Sequence, residues 1–238
     1  MTRPENPLIV ALDVASAEEA VALATTLKDH VGGFKVGLEL LMGPGPSLLG
    51  IIDELGRPVF CDAKLHDIPT TVRRAARRLG RFGARWVTVH ASGGSAMLEA
   101  AVEGLQDGAA GRAAGVMAVT VLTSLDDADL AKVGVAGSSG KQVSRLARLA
   151  SECGVEGVVC SVKELGDVAQ VAPGLVRATP GIRPAGEDPG DQARVATPGE
   201  AAARGADLII VGRPITRAGD PVRAAQRVVS EALAGRPL

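Results

Sequence analysis

The chain has 238 residues, 46% of them hydrophobic, and a formal net charge of −1 at pH 7. This length fits one large α/β barrel or two small domains, and the hydrophobic fraction is ample for a sizeable core. The balanced charge argues against nucleic acid as a partner, and the absence of an apolar run of about 18 residues argues against a membrane span.

Apolar segments of strand length recur along the chain and alternate with alanine-rich segments of helical period. The predicted strands are Leu8–Val14, Phe34–Leu40, Pro58–Leu65, Trp86–Ser92, Gly115–Leu122, Gly157–Val162, Val176–Ile182 and Leu208–Gly212. Eight alternating β and α units are typical of a TIM barrel, whereas a doubly wound open sheet usually has fewer strands. The sequence therefore predicts an α/β fold, a single (β/α)8 TIM barrel domain over residues 1–238, with a short polar N-terminal tail and a loose end at 235–238.

Residues typical of helix ends support this order of elements. Three pairs fit the capping box: Ser16 with Glu19, Ser161 with Glu164, and Thr197 with Glu200. Pro198 and Pro221 stand where a first helical residue is expected, and Gly32, Gly205 and Gly235 stand where helices are expected to end. The polar, glycine-rich stretch 124–140 is predicted to be an insertion in the loop after the fifth strand.

Charged residues close to the ends of the first three strands are predicted to meet at one end of the barrel, where TIM-barrel enzymes place their active sites. They are Asp13, Lys35, Asp62, Lys64 and Asp67, and they alternate in sign. Buried ion pairs often add little net stability, so a cluster this dense favours a function. A lysine between two carboxylates stays protonated, which suits Lys64 to donate a proton or hold an anion and makes it a poor base.

A second group of candidate residues follows the seventh and eighth predicted strands, where TIM barrels often bind phosphate. Arg183 follows the seventh strand, and Gly212 and Arg213 follow the eighth. Glycines let backbone N–H groups approach an anion, and arginine offers two parallel hydrogen bonds to it. Residues 184–191 contain two prolines, two glycines and three acids, and they are predicted to form a mobile loop that closes over a ligand.

The cysteines and the first residues indicate the compartment. Cys61, Cys153 and Cys160 form no CxxC pair and are odd in number, which argues against a disulfide framework or a zinc site. Each lies in an apolar segment and is predicted to be a small buried hydrophobe, which suits a reducing cytosol. Residues 1–7 are polar and lack the apolar core of a signal peptide. The sequence therefore predicts a cytoplasmic protein.

The chain resembles the orotidine 5′-phosphate decarboxylase family in its compact bacterial form, from about Leu8 to the last helix. The matching segments are 12–13 (LD), 34–37 (FKVG), 62–71 (DAKLHDIPTT), 119–124 (VTVLTS), 179–184 (TPGIRP), 190–192 (GDQ) and 212–214 (GRP). The DxKxxD core alone is shared with related sugar-phosphate lyases. Its extension through Ile68, Pro69 and Thr71, together with the segments of Arg183 and Arg213, is highly specific.

The resemblance implies a cofactor-free homodimer, without a metal ion, that converts orotidine 5′-monophosphate to UMP and CO2 in de novo pyrimidine synthesis. It implies that Lys64 protonates the pyrimidine C6 and that Asp62 lies beside the substrate carboxylate, with Lys35 and Asp67 completing the catalytic group. The implied substrate contacts are Asp13, Lys35, Asp67, Ile68, Thr71, Thr123, Pro180, Arg183, Gln192, Gly212 and Arg213. Asp67 and Thr71 are expected to come from the partner subunit.

Two other functions remain open at this point. A Mg²⁺-dependent sugar-phosphate lyase, such as a keto-gulonate phosphate decarboxylase or a hexulose phosphate synthase, needs carboxylates arranged for a hard cation, and Glu39 is the only spare acid of suitable parity. A non-catalytic nucleotide-binding barrel would bind UMP without converting its precursor. Activity that survives EDTA would contradict the first alternative, and turnover of orotidine 5′-monophosphate would contradict the second.

Overall fold

A computed structural model describes residues 4–185 and 195–236. Its strands are β1 Leu8–Ala11, β2 Gly33–Val36, β3 Val59–Leu65, β4 Ala84–His90, β5 Gly115–Val119, β6 Gly157–Val159, β7 Val176–Thr179 and β8 Leu208–Val211. They pair in chain order, all parallel, and β8 closes the barrel on β1 with Ile209 opposite Leu8. The predicted TIM barrel is confirmed.

The helices of the described residues surround this barrel. They are α1 Ala17–Leu27, α2 Leu38–Met42, α3 Ser47–Asp53, α4 Pro69–Arg81, α5 Ser95–Ala109, α6 Asp127–Lys132, α7 Ser139–Glu152, α8 Leu165–Val171, α9 Pro198–Ala203, α10 Arg213–Thr216 and α11 Pro221–Ala234. Short 3-10 turns cover Ala91–Gly93 and Val162–Glu164. No helix of the described residues is long and apolar enough to cross a membrane.

Two apolar layers follow from the alternation of side chains along each strand. Inside the barrel, Ile9 and Ala11 of β1 pack with Phe60, Trp86 and Met117. The alternate residues Leu8 and Val10 face outward and pack against the helices. Because each fully buried leucine or isoleucine side chain stabilises the fold by about 1.5–3 kcal/mol, the two layers together account for the closed barrel.

Ion pairs hold the amino-terminal ends of the strands together. Glu156, just before β6, accepts hydrogen bonds from both terminal nitrogens of Arg85 at 2.9 and 2.7 Å and from Trp86 Nε1 at 2.9 Å. Arg177 of β7 donates through Nε to Asp207 at 3.1 Å, just before β8. These groups satisfy one another, so the charges at this end of the barrel are paired within the chain.

The predicted strands are right in number and order, but most of them extend too far at their carboxyl ends. The prediction that the second strand continues to Leu40 was wrong, because β2 ends at Val36 and α2 begins at Leu38. The Gly37 carbonyl accepts the N–H of Leu41 at 3.1 Å and starts the helix. Leu40 is buried in this helix, as it would also be in a strand. So short an apolar run therefore does not distinguish a helix from a strand.

Most of the predicted helix ends are confirmed. Ser161 with Glu164 and Thr197 with Glu200 form capping boxes, and Ser16 accepts the N–H of Glu19. Pro198 and Pro221 begin α9 and α11, Gly205 follows α9 with a φ of +93°, and Gly235 caps α11. Gly32 does not end a helix, because α1 stops at Leu27. The stretch 124–140 is not wholly loop, because it contains α6 and the start of α7.

Candidate active site

A cavity of about 250 Å³ opens at the carboxyl ends of the strands, where the sequence analysis placed the active site. The predicted site residues that line it are Asp13, Lys35, Asp62, Lys64, Thr123, Pro180, Arg183, Gly212 and Arg213. They come from the ends of β1, β2, β3, β5, β7 and β8 or from the loops that follow these strands. The barrel therefore brings together residues that lie up to about 200 positions apart in the chain.

Four of these side chains form a row of alternating charge. Lys35 Nζ lies 3.1 Å from Asp13 Oδ1 and 3.6 Å from Asp62 Oδ2, and Lys64 Nζ donates to the same Asp62 oxygen at 2.7 Å. The side chains of Lys35 and Asp62 are only 11% and 14% exposed. The row thus places two ammonium groups around one largely buried carboxylate, with the Lys64 ammonium at its end.

The backbone near Lys35 leaves room for its ammonium group. Gly37 follows β2, and a Cβ atom built on it would lie 3.1 Å from Lys35 Nζ and 3.4 Å from Asp13 Oδ1. The contact with Lys35 Nζ would be tighter than nine in ten real Cβ contacts. A glycine at this position therefore lets the Lys35 side chain reach across to Asp13.

Lys64 occupies a bulge in β3. Cys61 pairs with Val87 of β4 and Leu65 pairs with Val89, so the pairing register shifts across the residues between Cys61 and Leu65. Within this bulge Lys64 has a φ of +47°, in the left-handed region that non-glycine residues rarely adopt. Bulges and such backbone strain occur preferentially at functional sites, where they direct a side chain. The prediction that Asp62 and Lys64 project to the same side is confirmed, but the strand that carries them is irregular.

Thr88 of β4 holds the bulge from beneath the cavity. Its buried hydroxyl accepts the backbone N–H of Lys64 at 2.8 Å and donates to Asp62 Oδ1 at 2.9 Å. Thr88 was not among the residues predicted from the sequence to have a function. Its position on the inward face of the fourth strand was the available signal, since Trp86 and Thr88 share that face.

Opposing effects act on the Asp62 carboxyl. Burial by itself would raise its pKa, but the Lys35 and Lys64 ammonium groups and the hydrogen bonds from Lys64 and Thr88 outweigh burial. The pKa of Asp62 therefore lies below its usual value, and the carboxylate stays ionised at neutral pH.

Apolar side chains form the remaining walls of the cavity. They include Phe60, Val119, Val159, Cys160 and Ile210. Burial raises the pKa of the Cys160 thiol to about 12, so it stays protonated. These residues were not predicted from the sequence to belong to the site, although Phe60 stands two positions before Asp62 and Ile210 two before Gly212, on the same strand faces. Walls of this kind exclude water and strengthen electrostatic interactions inside.

Two arginines also line the cavity. Arg213 begins α10 directly after Gly212, and Arg183 follows β7. The backbone N–H of Arg183 donates to the Ala196 carbonyl at 2.9 Å, and the Ala196 N–H donates to the Gly181 carbonyl at 3.2 Å. These bonds bring together the two described ends of the β7–α9 connection. Gln192 and most of the predicted mobile loop 184–191 lie outside the described residues.

Three predicted site residues do not line the cavity of the single chain. Asp67, Ile68 and Thr71 are exposed just beyond β3, and Asp67 Oδ1 accepts the N–H of Ile68 at 2.6 Å. Their contribution to a partner's site stays a prediction. Glu39, the spare acid considered for a magnesium site, is exposed on α2 and does not line the cavity. Within residues 4–185 and 195–236, no three His, Cys, Asp or Glu side chains are grouped to hold a metal ion.

Known proteins share both the sequence and the fold of this chain. Residues 6–228 match the model of the orotidine 5′-phosphate decarboxylase / HUMPS family. An orotidine 5′-phosphate decarboxylase of Cutibacterium acnes is 47% identical over 99% of this chain and 98% of its own length, and that of Paramagnetospirillum magneticum is 49% identical over 95% and 98%. The crystal structure of the Lactobacillus acidophilus orotidine 5′-phosphate decarboxylase superposes with a TM-score of 0.84 at 36% identity, covering 95% of this chain and 99% of that one. The chain therefore belongs to the orotidine 5′-phosphate decarboxylase / HUMPS family.

Proposed function

We propose that this chain decarboxylates orotidine 5′-monophosphate to UMP and CO2 in pyrimidine biosynthesis. The observation that carries the proposal is the charged row in the apolar-walled cavity, with the Lys64 ammonium 2.7 Å from the Asp62 carboxylate. Family membership and relatives of that name at 47% and 49% identity support the same reaction.

Lys64 is the proton donor of the proposed reaction. The bond between C6 and the carboxylate breaks, CO2 leaves, and the electron pair stays on C6, where the pyrimidine ring delocalises it poorly. A positive charge already placed beside C6 stabilises this carbanion, most strongly where water is excluded. A proton then moves from Lys64 Nζ to C6, and the neutral amine regains a proton from solvent.

Asp62 orients Lys64 in this reaction. Its low pKa keeps it ionised, so it accepts the Lys64 hydrogen bond and has no proton to donate. A substrate carboxylate bound beside it would be repelled, and this repulsion would be relieved as CO2 departs. Lys35 balances the charge of Asp62 from the other side at 3.6 Å, and Asp13 holds Lys35 in place.

The two arginines and Gly212 are the proposed phosphate site, and Thr123 and Pro180 border the base. Gln192, the further phosphate contact that the resemblance implies, lies outside the described residues. Phosphate carries no reacting atom in this chemistry. Its binding energy offsets the cost of bringing the substrate carboxylate close to Asp62. An arginine also matches phosphate geometry with two parallel hydrogen bonds.

Replacing Arg213 with alanine is expected to lower kcat/KM for orotidine 5′-monophosphate by about 10- to 100-fold, since a hydrogen bond to a charged group contributes about 1.5–3 kcal/mol. Steady-state kinetics would measure it. Arg217→Ala is the matched control, because Arg217 caps the same short helix, is exposed, and does not line the cavity. An Arg213→Ala enzyme with the kcat/KM of the control would contradict the phosphate site.

We also propose that the active form is a homodimer in which Asp67 and Thr71 enter the partner's site. Exposed apolar side chains lie next to these residues and on α2, which contacts β3. Ile68 is 67% exposed, and Leu38 and Met42 of α2 are 47% and 79% exposed. Patches of this kind favour contact with another protein surface. A two-fold dimer would cover the patch on both copies at once.

Mixing two inactive variants tests the exchange of residues between subunits. Lys64→Ala and Asp67→Ala are each expected to be nearly inactive. Their mixed dimer would contain one site with both Lys64 and the partner's Asp67 intact, so random reassortment should restore about a quarter of the wild-type activity. Native mass spectrometry, with one variant isotopically labelled, would confirm that mixed dimers form. Mixed dimers without restored activity would show that Asp67 acts within its own chain.

A direct assay tests the reaction itself. Purified chain is mixed with orotidine 5′-monophosphate, and the pyrimidine ultraviolet band is followed with and without EDTA. Conversion at equal rates in both samples supports the proposal. Loss of activity in EDTA would favour the magnesium-dependent lyase, and UMP binding without turnover would favour a non-catalytic nucleotide-binding barrel.

We propose a cytoplasmic location, in keeping with this biosynthetic role. Cys61, Cys153 and Cys160 are buried free thiols, which suits a reducing compartment. Fractionation of the native cells with an antibody to the chain would test the location, and recovery outside the cytoplasm would contradict it.

A further inference from the structure

Thr88 lies in β4 between Val87 and Val89, the two residues that pair with the ends of the Lys64 bulge. Its side chain is completely buried, and it does not line the cavity. It is nevertheless hydrogen-bonded to both central residues of the site, at 2.8 Å to the Lys64 backbone and at 2.9 Å to the Asp62 carboxylate.

The direction of both hydrogen bonds follows from the groups involved. A backbone N–H only donates, and an ionised carboxylate only accepts, so a hydroxyl group that does both fits between them. Lys64 Nζ in turn donates to the second oxygen of Asp62 at 2.7 Å. Thr88 therefore holds Lys64 twice, directly at the backbone and through Asp62 at the ammonium group.

The bulge explains why Lys64 needs this support. Pairing between β3 and β4 is interrupted from Cys61 to Leu65, and the Lys64 N–H finds its partner in a side chain. A non-glycine residue at positive φ is strained and persists only where its surroundings enforce it. A buried N–H left unpaired is also unfavourable, so loss of the hydroxyl favours a different backbone conformation at Lys64.

We propose that Thr88 is a positioning residue for the decarboxylation, whose hydroxyl holds the Lys64 backbone and the Asp62 carboxylate so that the ammonium group is directed into the cavity. This inference rests on the proposed function. Because Thr88 does not line the cavity, its loss should affect the chemical step and leave nucleotide binding nearly unchanged.

Thr88→Val keeps the shape of the side chain and removes the hydroxyl. We expect its kcat to fall about 100-fold with KM changed by less than about threefold, because a small displacement of a reacting group slows the chemical step without weakening binding. Thr88→Ser restores the hydroxyl and should recover kcat to within about fivefold of wild type.

Thr120→Val is the matched control for loss of a buried barrel hydroxyl. Thr120 Oγ1 donates to the Val159 carbonyl at 3.0 Å, its residue is 6% exposed, and it does not line the cavity. Its variant should lose thermal stability as Thr88→Val does, while kcat stays within about twofold of wild type.

A Thr88→Val enzyme with wild-type kcat, or one whose loss of kcat is matched by Thr120→Val, would overturn the inference and leave the proposed function intact. If Thr88→Val fails to fold, the role of the hydroxyl is tested by comparing Thr88→Ala with Thr88→Ser. A Thr88→Ala kcat at least about tenfold below that of Thr88→Ser supports the hydroxyl, and equal values overturn its role. A wild-type chain that leaves orotidine 5′-monophosphate unchanged would remove the proposed function and this inference together.

Discussion

Replacing Lys64 with alanine is expected to lower kcat for orotidine 5′-monophosphate by at least about 10⁴-fold, because the variant loses both the proton donor and the positive charge beside C6. The Lys64 ammonium lies in the cavity, with its side chain 31% exposed and its charge held against Asp62. No described residue other than Lys35 brings a second ammonium to this row, and Lys35 is occupied between Asp13 and Asp62. Single-turnover kinetics would measure the loss.

The control for this prediction is Lys132→Ala. The Lys132 side chain is 75% exposed on α6, pairs with Asp129 at 3.0 Å and does not line the cavity, so its removal should leave kcat unchanged. Circular dichroism would verify that Lys64→Ala folds, and UMP affinity would verify that its nucleotide site is intact. A folded Lys64→Ala chain that keeps most of its turnover would refute the assigned role.

Replacing Asp62 with asparagine is expected to lower kcat by about 10²- to 10³-fold, because it removes the negative charge that lies between two ammonium groups. Lys35 and Lys64 both approach the same Asp62 oxygen, at 3.6 and 2.7 Å. Without that charge they repel each other, and Lys64 loses its orientation. Asp29→Asn is the control, since the Asp29 side chain is 75% exposed and remote from the cavity lining. Equal kcat values for the two variants would contradict the role of Asp62.

The same substitution should show a characteristic pH dependence of stability. The folded pKa of Asp62 lies below its unfolded value, so its ionisation stabilises the fold above the unfolded pKa of about 3.9, and this stabilisation is lost as the pH falls through the folded pKa. The free energy of unfolding should therefore differ most between wild type and Asp62→Asn near neutral pH. Urea denaturation at several pH values would measure it. A difference that stays constant as the pH falls below about 4 would show that the carboxylate charge does not stabilise the fold.

Several features of the site could be predicted from local sequence patterns. Asp62 and Lys64 are two positions apart at the end of an apolar segment, so a strand carries both to one side. Asp13, Arg183 and Arg213 each follow a different strand, and parallel strands in a barrel end at the same side. The local pattern wrongly predicted a strand at residues 38–40, because a short apolar run can be buried in a helix such as α2 as well as in a strand.

Other features depend on which strands pair, and in what register. The Thr88 hydroxyl reaches Asp62 across 26 positions of sequence, and only the register shift between β3 and β4 places it beneath the bulge. The left-handed φ of Lys64 has the same origin, as no glycine or turn motif marks that position. The exposure of Asp67, Ile68 and Thr71 also becomes visible only when β3 and α4 are in place.

The sequence by itself determined the order of the βα units and the charged residues that follow their strands, because periodicity and strand ends are local properties of the chain. Only the tertiary structure decided which atoms meet: that Lys35 and Lys64 share one Asp62 oxygen, and that Thr88 completes the group. The physical reason is that hydrogen bonds and ion pairs act over about 3 Å. Such distances between remote residues are set by strand register and barrel closure, which no local pattern records.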